Sequence, residues 1–233
     1  MAGHWRFLEL SIPTPDIAAS LDFYLGLGFS ELATTDARDY PYVVVTDSRI
    51  AIGLHARELP GPALSFVQPD VATWARQLEA AGFDLEQQRL GLDEFHEFTL
   101  AGPDGHRVTV VEAATFSAPQ IQTLPAPVTG PSAHIELGCG DLNEGAEFWR
   151  LAGLEGGTDE EDAAAPEALE LAAPAIRLRL ARGGSAAPRL HFRSAARADV
   201  EAAAERFGLA LARRGEHWEI TAPEGTVLEI VAG

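Results

Sequence analysis

Lysine is absent from this chain, and cysteine is nearly absent. All 17 basic residues are arginine, against 35 acidic residues, so the formal net charge is −18. A surface of this sign repels phosphate backbones and anionic lipid headgroups, which argues against nucleic acid and membrane partners. The single cysteine, Cys139, excludes an intrachain disulfide.

Long apolar runs are also missing. No stretch approaches the roughly 20 apolar residues that a membrane span requires. The opening segment MAGHWRFLELS has no basic region followed by an apolar one, so a secretory signal is not predicted. We therefore expect a cytoplasmic protein, whose 233 residues suffice for one large domain or two small ones.

One pattern occurs twice at a spacing of 125 residues, which relates Asp16 to Asp141. The two copies are FLELSIPTPDIAASLDFY (7–24) and AHIELGCGDLNEGAEFW (133–149). Each predicts an alternating strand, a turn with an aspartate that can cap a helix, and an amphipathic helix. At this spacing Glu9 in the first copy corresponds to His134 in the second.

A second pattern follows in each half of the chain. It consists of a short strand, a helix near Asp70 or Asp199, and two strands joined by a turn with proline, an acidic residue and glycine. Each half thus contains two βαβββ units. A segment with four prolines and no charge separates the halves. We predict domains at 1–116 and 133–233, joined by a linker at 117–132.

Four such units in tandem resemble the vicinal oxygen chelate superfamily, which includes glyoxalase I, bleomycin-resistance proteins and extradiol dioxygenases. The ordered fourfold recurrence carries this resemblance, since no single motif is specific. It implies an α+β fold in which four tandem βαβββ units form two open cup-shaped mixed sheets with helices on their outer faces. It also implies a metal inside a cup, with ligands from the first strand of each unit and from the closing strand.

The N-terminal cup is predicted to be metal-free. The positions that match the family's ligand sites are Glu9, Ala63, Thr109 and Gly53, and three of these are poor ligands. Glu9 can still bind a ligand directly.

The C-terminal cup keeps better donors. His134 and Glu229 fall on the family's histidine and glutamate positions. Counting back from Asp199 puts Arg189 at the remaining ligand position, with His191 two residues further along the same face of the strand. The resemblance thus gives His134, His191 and Glu229 as a candidate metal set.

Two imidazoles and a carboxylate suit a divalent Fe, Mn, Ni or Zn ion and leave coordination positions open. Two neighbouring oxygens of a small molecule can fill them, and a bound carbonyl is then polarised. Candidate catalytic residues are Glu219 and His217, which alternate on the strand before the closing turn. Candidate substrate-binding residues are Glu136, Arg189 and Arg193.

Two functions stay open for such a site. The first is a metal-dependent lyase, isomerase or oxygenase that acts on a small oxygen-bearing molecule. The second is a metal-free binding protein resembling bleomycin-resistance proteins, with Trp5 and Trp218 lining its cups. In the second case Glu229 pairs with Arg189 in a salt bridge. The sequence leaves open whether the protein forms a homodimer.

Ring cleavage of the usual kind is disfavoured. The resemblance to extradiol dioxygenases predicts a cup-facing tyrosine ten residues before the closing glutamate, and this chain has Glu219 there.

Overall fold

A computed structural model describes residues 5–33, 39–93, 95–113, 121–156, 167–185, 187–215 and 217–232. Its architecture is α+β, as predicted. The strands within the described ranges are β1 (Arg6–Pro13), β2 (Ser30–Leu32), β3 (Tyr42–Thr46), β4 (Ala51–His55), β5 (Ala63–Gln68), β6 (Leu85–Arg89), β7 (Glu97–Ala101), β8 (Arg107–Glu112), β9 (Ser132–Cys139), β10 (Glu155–Gly156), β11 (Ala168–Ala173), β12 (Ile176–Arg182), β13 (Arg189–Ala195), β14 (Leu211–Arg214), β15 (His217–Thr221) and β16 (Val227–Ala232).

The described helices are α1 (Ile17–Gly26), α2 (Val71–Ala80), α3 (Leu142–Leu151) and α4 (Arg197–Phe207). Each follows the first strand of a βαβββ unit, so the element order repeats four times. None of the helices in these ranges is long and apolar enough to cross a membrane.

The strands form two mixed sheets of eight strands each. The first has the order β2-β3-β4-β1-β5-β8-β7-β6, and the second has the order β10-β11-β12-β9-β13-β16-β15-β14. The two orders are the same when strands are numbered within each half. The sequence repeat is therefore matched by a repeat of strand connectivity, which confirms the predicted fold class.

Aspartate caps begin the helices of the repeated opening pattern. The Asp16 carboxylate accepts a hydrogen bond from the Ala19 amide at 3.0 Å, and Asp141 accepts from the Asn143 amide at 2.8 Å. Each bond satisfies an amide that has no partner within the helix. Asp199 does not play this role, because α4 begins at Arg197 after Ala196 and Asp199 lies in its first turn.

The chain packs into two compact units, each made of three separate segments. The first comprises Met1–Glu9, Ala63–Pro119 and Leu137–Ala186, and the second comprises Leu10–Pro62, Gln120–Glu136 and Ala187–Gly233. The domain division at residues 117–132 stays a prediction.

In the first unit, the turn at Pro103–Gly105 contacts the region around α3. The Gly140 amide donates to the Asp104 carboxylate at 2.9 Å. His106 Nε2 lies 2.8 Å from the Gly138 carbonyl, and Trp149 Nε1 donates to His106 Nδ1 at 3.3 Å. Burial lowers the pKa of His106, so the ring is neutral, with its proton on Nε2 and Nδ1 accepting.

In the second unit, the corresponding turn contacts α1. Tyr24 Oη and Ser20 Oγ each donate to the Glu224 carboxylate at 2.7 Å. Tyr24 has no exposed surface. Its pKa is raised well above 10 because burial and the neighbouring Glu224 charge both disfavour the phenolate.

The raised pKa of Tyr24 predicts that the protein loses stability at alkaline pH. An unfolded tyrosine ionises near pH 10, whereas folded Tyr24 keeps its proton above that pH. Between the two pKa values the unfolded state binds fewer protons, so the free energy of unfolding falls as pH rises. Urea denaturation at pH 9, 10 and 11 measures this slope. We expect Tyr24→Phe to flatten it, and an equal slope in the variant would contradict the assignment. Cys139 contributes in the same pH range, because burial raises the pKa of its thiol to about 11, and this contribution remains in the variant.

Candidate metal centre

Four acidic or imidazole side chains lie in one row across the second sheet. His191 on β13 is in register with His134 on β9 and with Glu229 on β16. Glu229 is in turn in register with Glu219 on β15. Since paired residues project to the same face of a sheet, all four side chains share one face. Every residue of this row belongs to the second unit.

This register corrects the sequence alignment at β13. Counting from Asp199 puts Arg189 in the ligand position, but Arg189 pairs with Glu136, one step away from the row. The count fails because the donor lies seven residues before the helix cap in β9, from His134 to Asp141, but five residues before it in β13, from His191 to Ala196. The same correction applies to β5, where Ser65 rather than Ala63 is in register with Thr109.

The two histidines are buried and stacked. Each has 7% of its surface exposed, their ring centroids are 4.4 Å apart, and the rings are 17° from parallel. His191 Nε2 is buried and makes no hydrogen bond to protein. A buried donor or acceptor in this condition is destabilising unless another group satisfies it.

Glu136 completes a group of three possible metal ligands. It follows His134 by two residues on β9, so both side chains point to the same face. One ligand atom from each of His134, Glu136 and His191 lies within 4.8 Å of the others. Glu136 Oε2 is 3.5 Å from His191 Nε2.

A divalent ion fits this arrangement. Two ligand atoms bonded to one ion at tetrahedral angles are about 3.4 Å apart, close to the Glu136–His191 separation. That distance is too long for a good hydrogen bond between the same atoms. An ion bonded to His191 Nε2 would also satisfy that buried nitrogen. The donor set of two imidazoles and one carboxylate is one that divalent Fe, Mn, Ni and Zn accept.

Glu229 is held by a different set of contacts. Arg189 Nη2 donates to Glu229 Oε2 at 3.2 Å and also donates to Glu219 Oε1. His217 Nδ1 donates to Glu229 Oε1. The salt bridge between Arg189 and Glu229 that the sequence left open is confirmed.

Glu219 is similarly surrounded by positive charge. Arg214 Nε donates to its Oε2 at 3.0 Å, and Arg189 bonds its other oxygen. The Arg214 hydrogen bond is the main reason that the pKa of Glu219 lies below its usual value, and Arg189 lowers it further against the opposing effect of burial. Glu219 is therefore ionised at neutral pH.

The other predicted site residues lie around this row. The His217 side chain is 42% exposed, so it connects the Glu229 carboxylate to solvent. Arg193 is exposed on β13, two residues beyond His191. The assignment of His134, His191 and Glu229 as ligands, of His217 and Glu219 as catalytic residues, and of Glu136, Arg189 and Arg193 as substrate contacts stays a prediction.

The two tryptophans expected to line the cups face helices instead. Trp5 packs edge-on against Trp74 of α2, with ring centroids 6.0 Å apart. Trp218 alternates with His217 and Glu219 on β15, and the Arg197 guanidinium of α4 lies 5.5 Å from its ring. These contacts remove the aromatic lining on which the metal-free binding hypothesis depended.

The first sheet carries weaker donors in the equivalent positions. Ser65 and Thr109 are paired on β5 and β8, as His191 and Glu229 are on β13 and β16. Thr99 Oγ1 and Thr109 Oγ1 form a hydrogen bond of 3.0 Å. Hydroxyls therefore occupy the row that has an imidazole and two carboxylates in the second sheet.

Solved structures with this fold include several extradiol dioxygenases. The chain is 16% identical to catechol 2,3-dioxygenase, covering 98% of this chain and 89% of that one, with a TM-score of 0.56. A variant of homoprotocatechuate 2,3-dioxygenase from B. fuscum is 14% identical over 99% of this chain and 72% of that one, with a TM-score of 0.63. At these identities the likeness shows the fold.

No curated protein sequence matches the chain. A family model does match, over residues 6–110, and it describes the Glyoxalase/Bleomycin resistance protein/Dioxygenase superfamily. Together with the structural neighbours, this match confirms the resemblance drawn from the sequence. Residues 6–110 are thus similar to the Glyoxalase/Bleomycin resistance protein/Dioxygenase superfamily, and the second sheet repeats the strand order of the first.

Proposed function

We propose that this protein is a divalent-metal-dependent enzyme that acts on a small oxygen-bearing molecule at the second sheet. The observation that carries the proposal is the convergence of His134, Glu136 and His191 on one face, with their ligand atoms within 4.8 Å of one another. The buried His191 Nε2, which has no hydrogen bond to protein, supports the same conclusion.

The three residues would hold the ion from one side of the site. A divalent Fe, Mn, Ni or Zn ion held there would supply Lewis acidity toward a carbonyl or an enolate of a small oxygen-bearing molecule. Two imidazoles and one carboxylate leave the positions that such a molecule needs.

Proton transfer is assigned to His217. Its Nδ1 donates to Glu229, which leaves Nε2 as the nitrogen that can accept a proton. An imidazole oriented by a carboxylate is a common general base near neutral pH. The 42% exposure of His217 allows the proton to pass on to water.

Glu219 is assigned to holding Arg189 in place. It is ionised, and it binds both Arg189 and Arg214. These contacts hold Arg189 against Glu229 at the base of the proposed site, so the charge of Glu229 is compensated. The reaction class that suits one imidazole base beside a polarised carbonyl is isomerisation or elimination. The alternative reaction class is the insertion of oxygen, which an oxygenase catalyses.

Metal analysis of protein purified without chelator tests this proposal. We expect about one equivalent of a divalent ion, or uptake of one equivalent when Mn²⁺, Fe²⁺, Ni²⁺ or Zn²⁺ is added to the apoprotein under anaerobic conditions. Glu136→Gln removes the ligand charge and is expected to lower the metal content sharply. The matched control is Glu170→Gln, which changes an exposed glutamate on β11. Failure of the wild-type protein to bind any of these ions would overturn the proposal.

A further inference from the structure

A guanidinium is bound to the carboxylate that the resemblance gives as the closing-strand metal ligand. Arg189 Nη2 donates to Glu229 Oε2 at 3.2 Å and also donates to Glu219 Oε1. Both partners of the first bond are largely covered, since 28% of the Arg189 side chain and 15% of the Glu229 side chain are exposed. A charge pair at this depth is screened less than one on the surface. A positive charge of the protein itself therefore occupies this part of the site.

We propose that Arg189 is an internal cation that competes with a divalent metal for Glu229, and that metal binding moves its guanidinium onto Glu219 alone. This inference rests on the proposed function, since it needs a metal that binds at the second sheet. Glu229 joins the ligands of the ion only when Arg189 has released it. Arg189 thereby sets the metal affinity of the site without contacting the metal.

The two oxygens of Glu229 have different partners. Oε1 accepts from His217 Nδ1, whereas Oε2 accepts from Arg189. Glu229 is in register with His191, so its carboxylate is on the same face of the sheet as that imidazole. Release of Arg189 therefore makes Oε2 available to a cation while the bond from His217 stays in place.

Glu219 provides the place to which the guanidinium moves. Its Oε1 already accepts from Arg189, and its Oε2 accepts from Arg214 Nε at 3.0 Å. Glu219 is in register with Glu229 on the neighbouring strand, so the guanidinium can leave one carboxylate without leaving the other. The charge of Arg189 remains paired after the move, which avoids the cost of an isolated buried charge.

The guanidinium is also incompletely satisfied in its present position. Within the described part of the chain, Arg189 Nε is buried and has no hydrogen-bond acceptor. A buried donor without an acceptor is destabilising, so the pairing with Glu229 is weaker than that of a fully bonded guanidinium. A divalent ion carries twice the charge of arginine and can therefore compete for the same oxygen.

The strength of the bond that must break sets the size of the effect. A hydrogen bond between charged groups leaves the carboxylate available in about one molecule in 10 to one in 100. The apparent metal affinity is reduced by the same factor, because the ion binds only the molecules in which Glu229 is available. Removing the guanidinium is therefore expected to raise the affinity.

Calorimetric titration of the apoproteins with Mn²⁺ measures this change. Arg189→Met removes the guanidinium and keeps a long side chain, and we expect its dissociation constant to be about 10–100-fold lower than that of the wild type. The matched control is Arg214→Met, which removes the same charge from Glu219. Arg214 is 74% exposed, so we expect a change of less than about fivefold.

A second background separates competition for Glu229 from general repulsion between the guanidinium and the ion. Glu229→Gln removes the charge for which Arg189 and the ion compete, so the gain from Arg189→Met is expected to disappear in the double variant. Circular dichroism of each apoprotein checks that it is folded. Arg189→Gln, which keeps a hydrogen-bond donor for the two glutamates, replaces Arg189→Met if that variant does not fold.

The outcomes distinguish this inference from the proposed function. Equal affinities of the wild type and Arg189→Met, or a gain that persists in the Glu229→Gln background, would show that Arg189 does not compete for Glu229. In either case a wild-type protein that binds metal still supports the proposed function. If only Arg189→Met binds an ion, the competition is supported and the proposed function fails. If neither protein binds one, both fail.

Discussion

Replacing His191 with alanine is expected to lower the affinity for a divalent metal by more than about 100-fold, because the ring supplies a ligand atom rather than only supporting one. His191 is at the centre of the site. It is in register with His134 and Glu229, it stacks on His134, and it lies next to Glu136. Calorimetric titration of apoprotein with Zn²⁺ or Mn²⁺ measures the change.

A matched control is His96→Ala. His96 lies on the first unit, where Nδ1 is 2.8 Å from Glu112 Oε2 and Nε2 is 2.9 Å from the Gly91 carbonyl. Both variants remove one imidazole from the chain, but only His191→Ala removes one from the donor cluster. Equal affinities of the two variants would contradict the placement of the metal on β9 and β13.

Replacing Trp149 with alanine is expected to lower the free energy of unfolding by about 3–5 kcal/mol. This is the largest loss of stability among the substitutions that we predict. The Trp149 side chain has no exposed surface, and its ring packs edge-on against Phe148 with centroids 5.1 Å apart. Its indole N–H also donates to His106 Nδ1. The variant therefore leaves both a cavity and a buried ring nitrogen that has lost its donor.

Thermal unfolding followed by circular dichroism checks this expectation. For a chain of this length a loss of 3–5 kcal/mol corresponds to a decrease in Tm of about 6–20 °C. Phe207→Ala serves as the control, because that ring is 46% exposed, and we expect it to lose less than about 1 kcal/mol. Similar losses in the two variants would show that Trp149 does not anchor the packing of α3.

The architecture could be predicted from the sequence because local sequence signals specify each element and recur in the same order. Alternating apolar residues, aspartate caps and proline-containing turns recur in order, and each signal depends on residues within about ten positions. The caps at Asp16 and Asp141 are examples that the structure confirms. The fold class follows from such signals without any knowledge of the site.

The details of the site depend on strand register, which local signals do not specify. The repeated opening pattern places its donor seven residues before the helix cap, whereas β13 places His191 five residues before Ala196, and this difference moved the predicted ligand position to Arg189. The proximity of Glu136 to His191 likewise arises from the pairing of β9 with β13. A rule that counts from the true cap, five residues back in β5 and β13, would have found both Ser65 and His191.

The shared strand order gives the chain an internal template for engineering. Ser65 and Thr109 stand on the first sheet where His191 and Glu229 stand on the second, and Glu9 aligns with His134. The two imidazoles of the second sheet could therefore be introduced into the first by Glu9→His and Ser65→His. β1 and β5 are neighbours in the first sheet as β9 and β13 are in the second, so the strands that such a transplant needs are already adjacent.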